Sequence, residues 1–530
     1  MPDHLPSIDH PLDALAAMAG ARGDAEALAF PGSGERRSFS QYHAEALRLS
    51  AALAALGLGP GDHIALIAEN RVEWPIVQMA VAALGGVFVP LNTHYRAEDL
   101  AVALARSEAR AILLSERFRS NPYLDTLLAL RPRLPAIRHI VSFDGARPAH
   151  GVIGYRDLIA AFGPADRAPT PGPAEGPAAL LYTSGTTGLP KGALLSHRGM
   201  MMCARETAER LAIRPGDRWT SIIPLFHCAG CILNILGSLQ TGATYVGIPA
   251  FDPEIMFEVI ATERCTVMSG VPTSYLAMLE HPARSRYDLS SLRTGTCGGS
   301  DANPAVLARC AAEFPMPGLA QVYGQTESST LVTASAHDDP ERFRTAGRPL
   351  PGHELRIVDP QTGEIQPDGT IGEVQARGPM VMLGYHAMPE ATAETITPDR
   401  WLRTGDLGYR MPTGHLVIAG GRLRDMIIRG GENIYPVEIE NLLEDHAAVR
   451  AVAVFGYPDD YYGEIVAAAV RLDAPATAAE LSAFLADRIA RFKLPVRYYR
   501  VESFPLTPSG KIRKVELRAM AVAGRLEPMG

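Results

Sequence analysis

The sequence predicts an α/β protein, with a large amino-terminal α/β domain of several subdomains and a small, mobile carboxy-terminal α+β domain. The chain has 530 residues, which is more than one hydrophobic core usually organises. Between Glu26 and about Gly420, apolar β-like runs alternate with helical patterns, and this alternation is typical of helices layered on parallel strands. A compact α+β pattern follows from Arg422 onward. We therefore expect two domains, over residues 1–421 and 422–530.

Local patterns predict the elements in chain order. A helix is expected from Tyr42 to Leu56, and buried strands are expected over residues 63–68 and 111–114. The Pro- and Gly-rich segment 164–177 predicts an exposed connection, and it leads into a strand from Ala178 to Tyr182.

Composition and charge exclude several classes of function. Hydrophobic residues make up 47% of the chain and charged residues 20%, which is normal for a folded soluble protein. The formal net charge of -8 gives no general attraction to nucleic acid or anionic lipid. Residues Met1–Leu15 do not resemble a secretory signal, and the longest apolar stretch, Ile76 to Leu91, is short for a membrane span. We expect a cytoplasmic protein with no nucleic-acid partner and no integral membrane association.

Cysteine usage indicates a reducing environment. Six cysteines are spread over the chain, which predicts reduced thiols rather than a disulfide framework. Cys228 and Cys231 form a C-x-x-C pair. Since neither a second ligand pair nor a thioredoxin-like context accompanies them, we interpret them as buried structural thiols rather than a metal or redox site.

Lysine is rare in this chain, and its positions are therefore informative. Four of the 50 basic residues are lysine: Lys191, Lys493, Lys511 and Lys514. Where arginine is the default cation, a lysine indicates a need for a compact, movable ammonium that a planar guanidinium cannot replace. Lys191 and Lys511 lie in motifs. A functional role and simple solvation both stay open for the other two, with solvation expected of Lys514.

The most unusual segment combines a strand end, hydroxyls, glycines and one lysine. Its residues are Thr183, Ser184, Gly185, Thr186, Thr187, Gly188, Leu189, Pro190, Lys191 and Gly192. Glycines let backbone N–H groups approach phosphate oxygens, hydroxyls add donors, and lysine adds positive charge. The pattern predicts a polyphosphate-binding loop, although no Gly-Lys-Ser/Thr ends it as in a Walker A loop. The alternative is an ordinary flexible turn.

Five further motifs stand in a fixed order after this loop: Pro224–His227, Tyr323–Glu327, Thr404–Asp406, Gly421–Asp425 and Pro505–Lys511. Together the six resemble, over nearly the whole chain, the adenylate-forming superfamily of acyl-CoA synthetases, peptide-synthetase adenylation domains and luciferases. The resemblance implies ATP and Mg²⁺ as cofactors. It also implies that a carboxylic acid is activated as an acyl adenylate and then transferred to an acceptor.

The resemblance also implies an ATP site. It assigns the phosphates to Thr183, Ser184, Gly185, Thr186, Thr187, Gly188 and Lys191. Tyr323 would stack on adenine beside Gly324, Thr326 would lie near phosphate, and Glu327, with Thr186, would hold magnesium and share in catalysis. Asp406 would accept hydrogen bonds from the ribose hydroxyls, with Arg422 as its companion. A surface carboxylate at Glu327 and a plain loop salt bridge at Asp406 are the alternatives.

Other matched residues concern the chemical steps. Lys511 would bridge the attacking carboxylate and the α-phosphate, which are both anions. The resemblance places His227 as an aromatic gate at the carboxylate end of an acyl tunnel, although an ordinary packed histidine stays open. It places the remaining residues beside the acyl group (Gly298, Gly299, Ser300) and along a pantetheine tunnel for coenzyme A (Gly430, Gly431). At the hinge this chain has Arg424, where the family commonly has aspartate or lysine, and two conformations of the small domain are still expected.

Three classes of function share these residues. An acid–CoA ligase is favoured by the complete small domain and by the Gly-Gly-Glu-Asn-Ile-Tyr-Pro segment. An adenylating enzyme that loads a carrier protein or an amine is the main alternative, because only the acceptor differs. A binding protein that lost activity is disfavoured by intact Lys191, Glu327, Asp406 and Lys511. The acyl pocket is expected to suit a hydrophobic medium-chain, alicyclic or aromatic acid, with walls from His227, Cys228, Ser300 and residues 271–273. The oligomeric state stays open, and a homodimer is possible on this sequence.

Overall fold

The structure is a computed structural model, and it describes residues 8–164, 168–183, 190–299, 304–422, 425–429, 432–434, 436–459, 462–486, 488–489, 491–506 and 512–530. For residues 420–422, 428, 432, 433 and 463 it describes the backbone alone. Several residues singled out from the sequence lie outside the described residues: Ser184, Gly185, Thr186, Thr187, Gly188, Ser300, Arg424, Gly430, Gly431 and Lys511.

Strands occur throughout the described residues. In chain order they are β1 (Glu26–Phe30), β2 (Glu35–Ser38), β3 (His63–Ile67), β4 (Val87–Pro90), β5 (Ala111–Leu114), β6 (His139–Ser142), β7 (Val152–Gly154), β8 (Pro177–Thr183), β9 (Lys191–Ser196), β10 (Arg218–Ser221), β11 (Thr244–Val246), β12 (Val267–Gly270), β13 (Thr294–Cys297), β14 (Gly318–Tyr323), β15 (Thr333–Ala334), β16 (Arg348–Pro349), β17 (Glu354–Val358), β18 (Gly372–Arg377), β19 (Gly384–Tyr385), β20 (Leu402–Arg410), β21 (Leu416–Arg422), β22 (Ile427–Arg429), β23 (Glu432–Ile434), β24 (Val449–Asp459), β25 (Gly463–Leu472), β26 (Arg497–Arg500) and β27 (Glu527–Pro528).

Helices separate most of these strands. They are α1 (Pro11–Arg22), α2 (Phe39–Ala55), α3 (Glu73–Leu84), α4 (Ala97–Ser107), α5 (Tyr123–Leu130), α6 (Tyr155–Ala160), α7 (His197–Arg210), α8 (Gly237–Thr241), α9 (Pro253–Glu263), α10 (Pro272–Glu280), α11 (Pro304–Glu313), α12 (Pro389–Thr395), α13 (Pro436–Glu444), α14 (Ala478–Ala486) and α15 (Lys514–Val522). A π-helical segment, Ala229–Leu236, precedes α8 directly. Local chemistry fixes several starts: α2 begins at a capping box formed by Ser38 and Gln41.

Contacts between residues divide the chain into two compact units. The first comprises Met1–Leu355 and Ala376–Leu402, and the second comprises Arg356–Gln375 and Arg403–Gly530. The second unit thus takes in residues that precede the boundary expected after residue 421, and that boundary stays a prediction.

The first unit contains two sheets within the described residues. One has the order β16-β15-β14-β13-β12-β10-β11-β1-β2, and the other has the order β19-β9-β8-β4-β3-β5-β6-β7. Their central strands run parallel, as the alternating pattern predicts. The main core cluster contains residues of both sheets and of α2, α3 and α7. Further clusters pack α9–α11 and α4–α5 against the sheets, so both sheets are buried as parallel sheets require.

The second unit contains a four-stranded sheet, β17-β18-β20-β21, and a six-stranded sheet in which the long strands β24 and β25 pair. One cluster packs α13 and α14 on the six-stranded sheet, and another packs α15 on it. The expected α/β domain followed by a smaller α+β region is therefore confirmed. Among the described residues, no helix combines the length and the hydropathy that a membrane span requires.

Candidate active site

Several predicted site residues meet at one edge of the nine-stranded sheet. Strands β10, β12, β13 and β14 are parallel neighbours, so their carboxyl ends lie along the same edge. His227 follows β10, Gly298 and Gly299 follow β13, and Tyr323 ends β14 just before Glu327. In open α/β sheets, ligands bind outside the carboxyl ends of the strands. This edge is the candidate site of the first unit.

The turn after β14 is tightly constrained by Gly324. A Cβ at this position would lie 2.3 Å from the carbonyl oxygen of Thr330 and 2.4 Å from the Cα of Leu331, so a side chain does not fit. Ser329 (φ 52°) and Thr330 (φ 105°) adopt left-handed backbone conformations although neither is glycine. Strained backbone of this kind persists where the surrounding structure holds it, often at functional sites.

Glu327 is buried and bonded to a tyrosine that the sequence analysis did not single out. Glu327 is only 8% exposed. The hydroxyl of Tyr385 donates a hydrogen bond of 2.7 Å to Glu327 Oε1. The backbone N–H of Met382 donates to the carbonyl oxygen of Glu327 at 2.8 Å, so the segment that carries Tyr385 is tied to the turn at two points.

The same tyrosine contacts the lysine of the predicted phosphate loop. Lys191 Nζ lies 5.1 Å from the centroid of the Tyr385 ring, which is within the range of a cation–π contact. Strand pairing sets this arrangement, because Tyr385 in β19 lies opposite Ala193 in β9, two residues after Lys191. The same tyrosine thus contacts an ammonium through its ring face and a carboxylate through its hydroxyl.

Strands β8 and β9 hold the two ends of the predicted phosphate loop together. Thr183 and Lys191 are paired across the two antiparallel strands, and the Thr183 hydroxyl donates to the Lys191 carbonyl oxygen at 3.4 Å. Gly192 is required next to them, since a Cβ would lie 2.7 Å from Leu180 Cδ2. The residues between the paired ends, 184–189, lie outside the described residues.

His227 is exposed and lies beside a buried cysteine at the start of the π-helical segment. The Cys228 thiol lies 3.6 Å from His227 Nδ1, and the Thr326 hydroxyl lies 3.6 Å from the Cys228 sulfur. Burial raises the pKa of the Cys228 thiol, but the charge of His227 and hydrogen bonds from His227 and Thr326 outweigh it, and the pKa is lowered overall. The thiol therefore joins the predicted gate to the predicted phosphate-side threonine.

The prediction of free, buried thiols is confirmed. All six cysteines are free and buried, and among the described residues no group of three or more potential ligands could hold a metal ion through His, Cys, Asp and Glu. Burial raises the pKa of Cys231 well above its ordinary value, so Cys228 differs from its neighbour in the C-x-x-C pair.

Asn234 supports the π-helical segment from within the core. Its side chain is fully buried. In the amide orientation that satisfies both ends, the nitrogen donates to the Ser221 hydroxyl at 3.1 Å and to the Ala229 carbonyl at 3.0 Å, and the oxygen accepts from Ser269 and Trp219 at 3.2 and 2.8 Å. It therefore ties the segment that follows His227 to the strand ends. The signal in the sequence was a single polar residue inside an otherwise apolar run, and it was missed.

Gly298 and Gly299 bring the backbone after β13 close to β14. A Cβ on Gly298 would lie 2.6 Å from Val322 Cγ2, and Gly299 has a left-handed φ of 84°. The backbone here therefore passes next to the residue that precedes Tyr323.

In the second unit, Asp406 and Arg422 are opposite each other across β20 and β21. The turn before Asp406 is held by Thr404, whose hydroxyl donates to the Val374 carbonyl at 2.6 Å and accepts from the Asp406 N–H at 3.1 Å. The ribose assignment itself stays a prediction.

Two lysines outside the motifs have structural partners. Lys493 Nζ lies 2.6 Å from Glu438 Oε2, and Lys514 Nζ lies 2.6 Å from Glu440 Oε1. The prediction that Lys514 is solvated is wrong, because its side chain is only 16% exposed and that of Glu440 13%. Glu440 also accepts a hydrogen bond from the Val454 N–H, so the pair anchors α15 and α13 to β24. Among the three described lysines, Lys191 is the one at the candidate site.

The carboxylate of Glu327 has the properties of a magnesium ligand. Among the described residues it forms no ion pair, and its bond from Tyr385 occupies one oxygen. Buried carboxylates are normally compensated by a cation, and Mg²⁺ is bound through one or two carboxylates together with substrate phosphates. The donor set therefore fits Mg²⁺, and Glu327 is the residue that would hold it.

Comparison with known proteins gives two family matches that together cover most of the chain. Residues 15–386 match the family described as AMP-binding enzyme. Residues 438–511 match the AMP-binding enzyme C-terminal domain.

Three curated relatives are similar over almost their full length. The putative acyl-CoA synthetase YngI of Bacillus subtilis is 36% identical, with 95% of each chain covered. The mitochondrial medium-chain acyl-CoA ligase ACSF2 of Mus musculus is 33% identical, over 93% of this chain and 85% of that protein. A methyl-dioxo-octahydro-indenyl-propanoyl:CoA ligase of Rhodococcus jostii is 34% identical, over 94% and 96%.

Solved structures similar to this chain include a CoA ligase and an amide bond synthetase. ATP-bound MatB from Rhodopseudomonas palustris has a TM-score of 0.87 at 28% identity, over 97% of this chain and 99% of that one. The anthranilate CoA ligase AuaEII in complex with anthranoyl-AMP has a TM-score of 0.87 at 26% identity, over 98% of both. The amide bond synthetase McbA from Marinactinospora thermotolerans has a TM-score of 0.84 at 31% identity, over 96% and 99%.

Proposed function

Because the chain belongs to the AMP-binding enzyme family, we propose that it is an acid–CoA ligase for a hydrophobic medium-chain, alicyclic or aromatic carboxylic acid. The enzyme uses ATP and Mg²⁺, with coenzyme A as the second substrate. The observation that carries the proposal is the cluster of Glu327, Tyr385 and Lys191 beside the ends of the phosphate loop. It holds one carboxylate and one ammonium against the same tyrosine, which suits the binding of Mg²⁺ and phosphate.

Two half-reactions follow from this proposal. A carboxylate oxygen of the acid attacks the α-phosphorus of ATP, the bond to the β-phosphate oxygen breaks, and pyrophosphate leaves. The sulfur of coenzyme A then attacks the acyl carbonyl carbon, the thiol proton is lost to solvent or a base, and AMP leaves with the bonding electrons. Mg²⁺, when bound, neutralises charge on the phosphates.

Residues of this chain supply binding and charge. The Lys191 ammonium attracts phosphate oxygens, and the Glu327 carboxylate holds the metal. Tyr323 offers its ring to the adenine, and Asp406 offers its carboxylate to the ribose hydroxyls. Lys511 would stabilise the anionic transition state of the first half-reaction, since two negative groups must approach each other.

Residues expected to line the acyl pocket support a hydrophobic acid. Cys228 is buried, and Val271 packs with the apolar cluster under α9–α11. Three similar proteins carry names that refer to a medium-chain acyl group, an alicyclic propanoyl group and an anthranilate. These groups represent the three proposed classes of acid, which are medium-chain, alicyclic and aromatic.

An adenylating enzyme with an amine or carrier-protein acceptor is the second candidate. Its support is the amide bond synthetase, which resembles this chain over 96% of its length at 31% identity. All residues that would contact ATP serve either reaction, because the acceptor enters only in the second half-reaction.

The decisive experiment measures pyrophosphate release with ATP, Mg²⁺ and a panel of acids, each with and without coenzyme A. The thioester product is quantified by mass spectrometry. One acid that gives pyrophosphate and stoichiometric acyl-CoA is the expected result. Pyrophosphate without any thioester would overturn the ligase proposal in favour of another acceptor, and no pyrophosphate with any acid would argue against acid activation.

A further inference from the structure

The geometry points to Tyr385 as the positioning residue for the metal-binding carboxylate, and we propose that it orients Glu327 while holding Lys191 apart from it. This inference rests on the proposed function, because it assumes that Glu327 binds Mg²⁺ and Lys191 binds phosphate. We assign Tyr385 no contact with the substrate carboxylate or with the phosphates. It acts through the two charged side chains.

The hydroxyl of Tyr385 determines which oxygen of Glu327 is available. A carboxylate has two oxygens and several acceptor positions, and rotation about its last torsion is broad. The 2.7 Å hydrogen bond fixes Oε1. Oε2 is then the oxygen left for a cation.

The ring of Tyr385 keeps two opposite charges from neutralising each other. Lys191 Nζ lies over the ring face at 5.1 Å from the centroid, while Glu327 receives the hydroxyl at the ring edge. Among the described residues, Lys191 and Glu327 form no ion pair with each other. A direct pair would satisfy both charges before ATP arrives, whereas the aromatic face holds the ammonium weakly and leaves it free to exchange for phosphate oxygens.

Backbone contacts hold the tyrosine rigidly in this place. The Leu383 and His386 N–H groups donate to the carbonyls of Leu194 and Gly192, both at 2.8 Å, and the Tyr385 N–H donates to the Thr392 hydroxyl at 2.9 Å. Only 9% of Tyr385 is exposed. A residue so fixed is suited to orient a metal ligand, and loss of such a partner typically lowers metal affinity about 10- to 100-fold.

The test compares Tyr385→Phe, which removes only the hydroxyl, with Tyr123→Phe as a matched control. The hydroxyl of Tyr123 is also buried, and it donates to the Thr93 carbonyl at 2.6 Å, away from the site. The probe is Mn²⁺ in the presence of α,β-methylene-ATP, and binding is followed by loss of the free Mn²⁺ signal in electron paramagnetic resonance. Thermal unfolding midpoints establish that each variant is folded.

Tyr385→Phe should weaken Mn²⁺ binding about 10- to 100-fold, and Tyr123→Phe should bind Mn²⁺ as the wild type does. Binding of the nucleotide without metal should be unchanged in both. Raising the Mg²⁺ concentration should restore the rate of pyrophosphate release by Tyr385→Phe, because the defect lies in metal affinity. A merely structural role would not produce this rescue.

Glu327→Gln completes a double-mutant cycle and separates the two levels of the proposal. Since Tyr385 acts through Glu327, Tyr385→Phe should cause no further loss in the Glu327→Gln background. If Glu327→Gln weakens Mn²⁺ binding and Tyr385→Phe does not, the positioning role is refuted while the proposed function stands. If Glu327→Gln binds Mn²⁺ as tightly as the wild type, the metal assignment of the proposed function fails.

Discussion

Acid should destabilise the first unit through His197, a buried histidine with an unusual environment. His197 is 2% exposed, and neither ring nitrogen has a hydrogen-bond partner among the described residues. Burial, followed by the neighbouring ring of His10 at 4.2 Å between centroids, lowers the pKa of His197 to about 3. It is also the first residue of α7, where the helix dipole disfavours a positive charge.

The sign and size of the effect follow from proton linkage. The pKa is 6.5 for the ordinary group and about 3 in the folded protein, so below pH 6.5 the unfolded chain binds the extra proton. This group therefore leaves the free energy of unfolding unchanged above pH 6.5 and lowers it progressively as the pH falls towards about 3, its pKa in the folded protein. Between pH 7 and pH 5 the free energy of unfolding should fall by about 2 kcal/mol from this one group.

Urea unfolding followed by tryptophan fluorescence measures this directly, because Trp74, Trp219 and Trp401 all belong to the first unit. His197→Phe removes the titrating group, so the loss of stability between pH 7 and pH 5 should shrink by about 2 kcal/mol. His150→Phe, at an exposed histidine, should leave the pH dependence unchanged. An equal acid response in wild type and His197→Phe would refute the reasoning.

Three further predictions concern the site. Lys511→Ala should nearly abolish adenylate formation, yet it should leave transfer from a supplied acyl adenylate to coenzyme A largely intact. Pyrophosphate release measures the first step and thioester yield measures the second. Equal loss of both would contradict the role assigned to Lys511. Cys228 should be alkylated by iodoacetamide faster than the other five cysteines at neutral pH, because its thiol pKa is lowered and the thiolate is the nucleophile; peptide mass spectrometry that finds uniform labelling would reject this. Gly324→Ala places a Cβ 2.3 Å from the Thr330 carbonyl oxygen. The substitution should lower the free energy of unfolding by about 1–3 kcal/mol and should also weaken ATP binding. The control is Gly20→Ala, because a Cβ at Gly20 would have no atom within 4 Å. Both variants are measured by urea unfolding and nucleotide titration. Equal stability of the two variants would argue against a constrained turn at Gly324.

Local sequence information was sufficient for the fold class and for the chemistry of the motifs. The buried strands β3 and β5 appear as short apolar runs. Helix α2 was predicted from Tyr42, but it begins at Phe39, after the capping box of Ser38 and Gln41. The phosphate loop and the Tyr323–Glu327 turn depend on residues adjacent in the chain, and glycine and lysine have specific physical uses there. Motifs of this kind can be recognised without knowledge of the tertiary structure.

Contacts between distant segments could not be predicted in this way. Tyr385 lies 58 residues from the glutamate it bonds, and Cys228 lies 98 residues from Thr326. Lys514 was expected in solvent, but α15 places it against Glu440. Nothing in the neighbouring residues of each side chain indicates these partners.

The sequence by itself thus determined the α/β class and the order of the motifs, and it predicts which residues bind ATP, because these depend on local propensity and on side-chain chemistry. Only the tertiary structure decided which of those residues meet at one sheet edge, and which unrecognised residues join them. The physical reason is strand register: the pairing of β19 with β9 brings Tyr385 to Lys191, and the parallel order of β10, β12, β13 and β14 brings His227, Gly298 and Glu327 to the same edge.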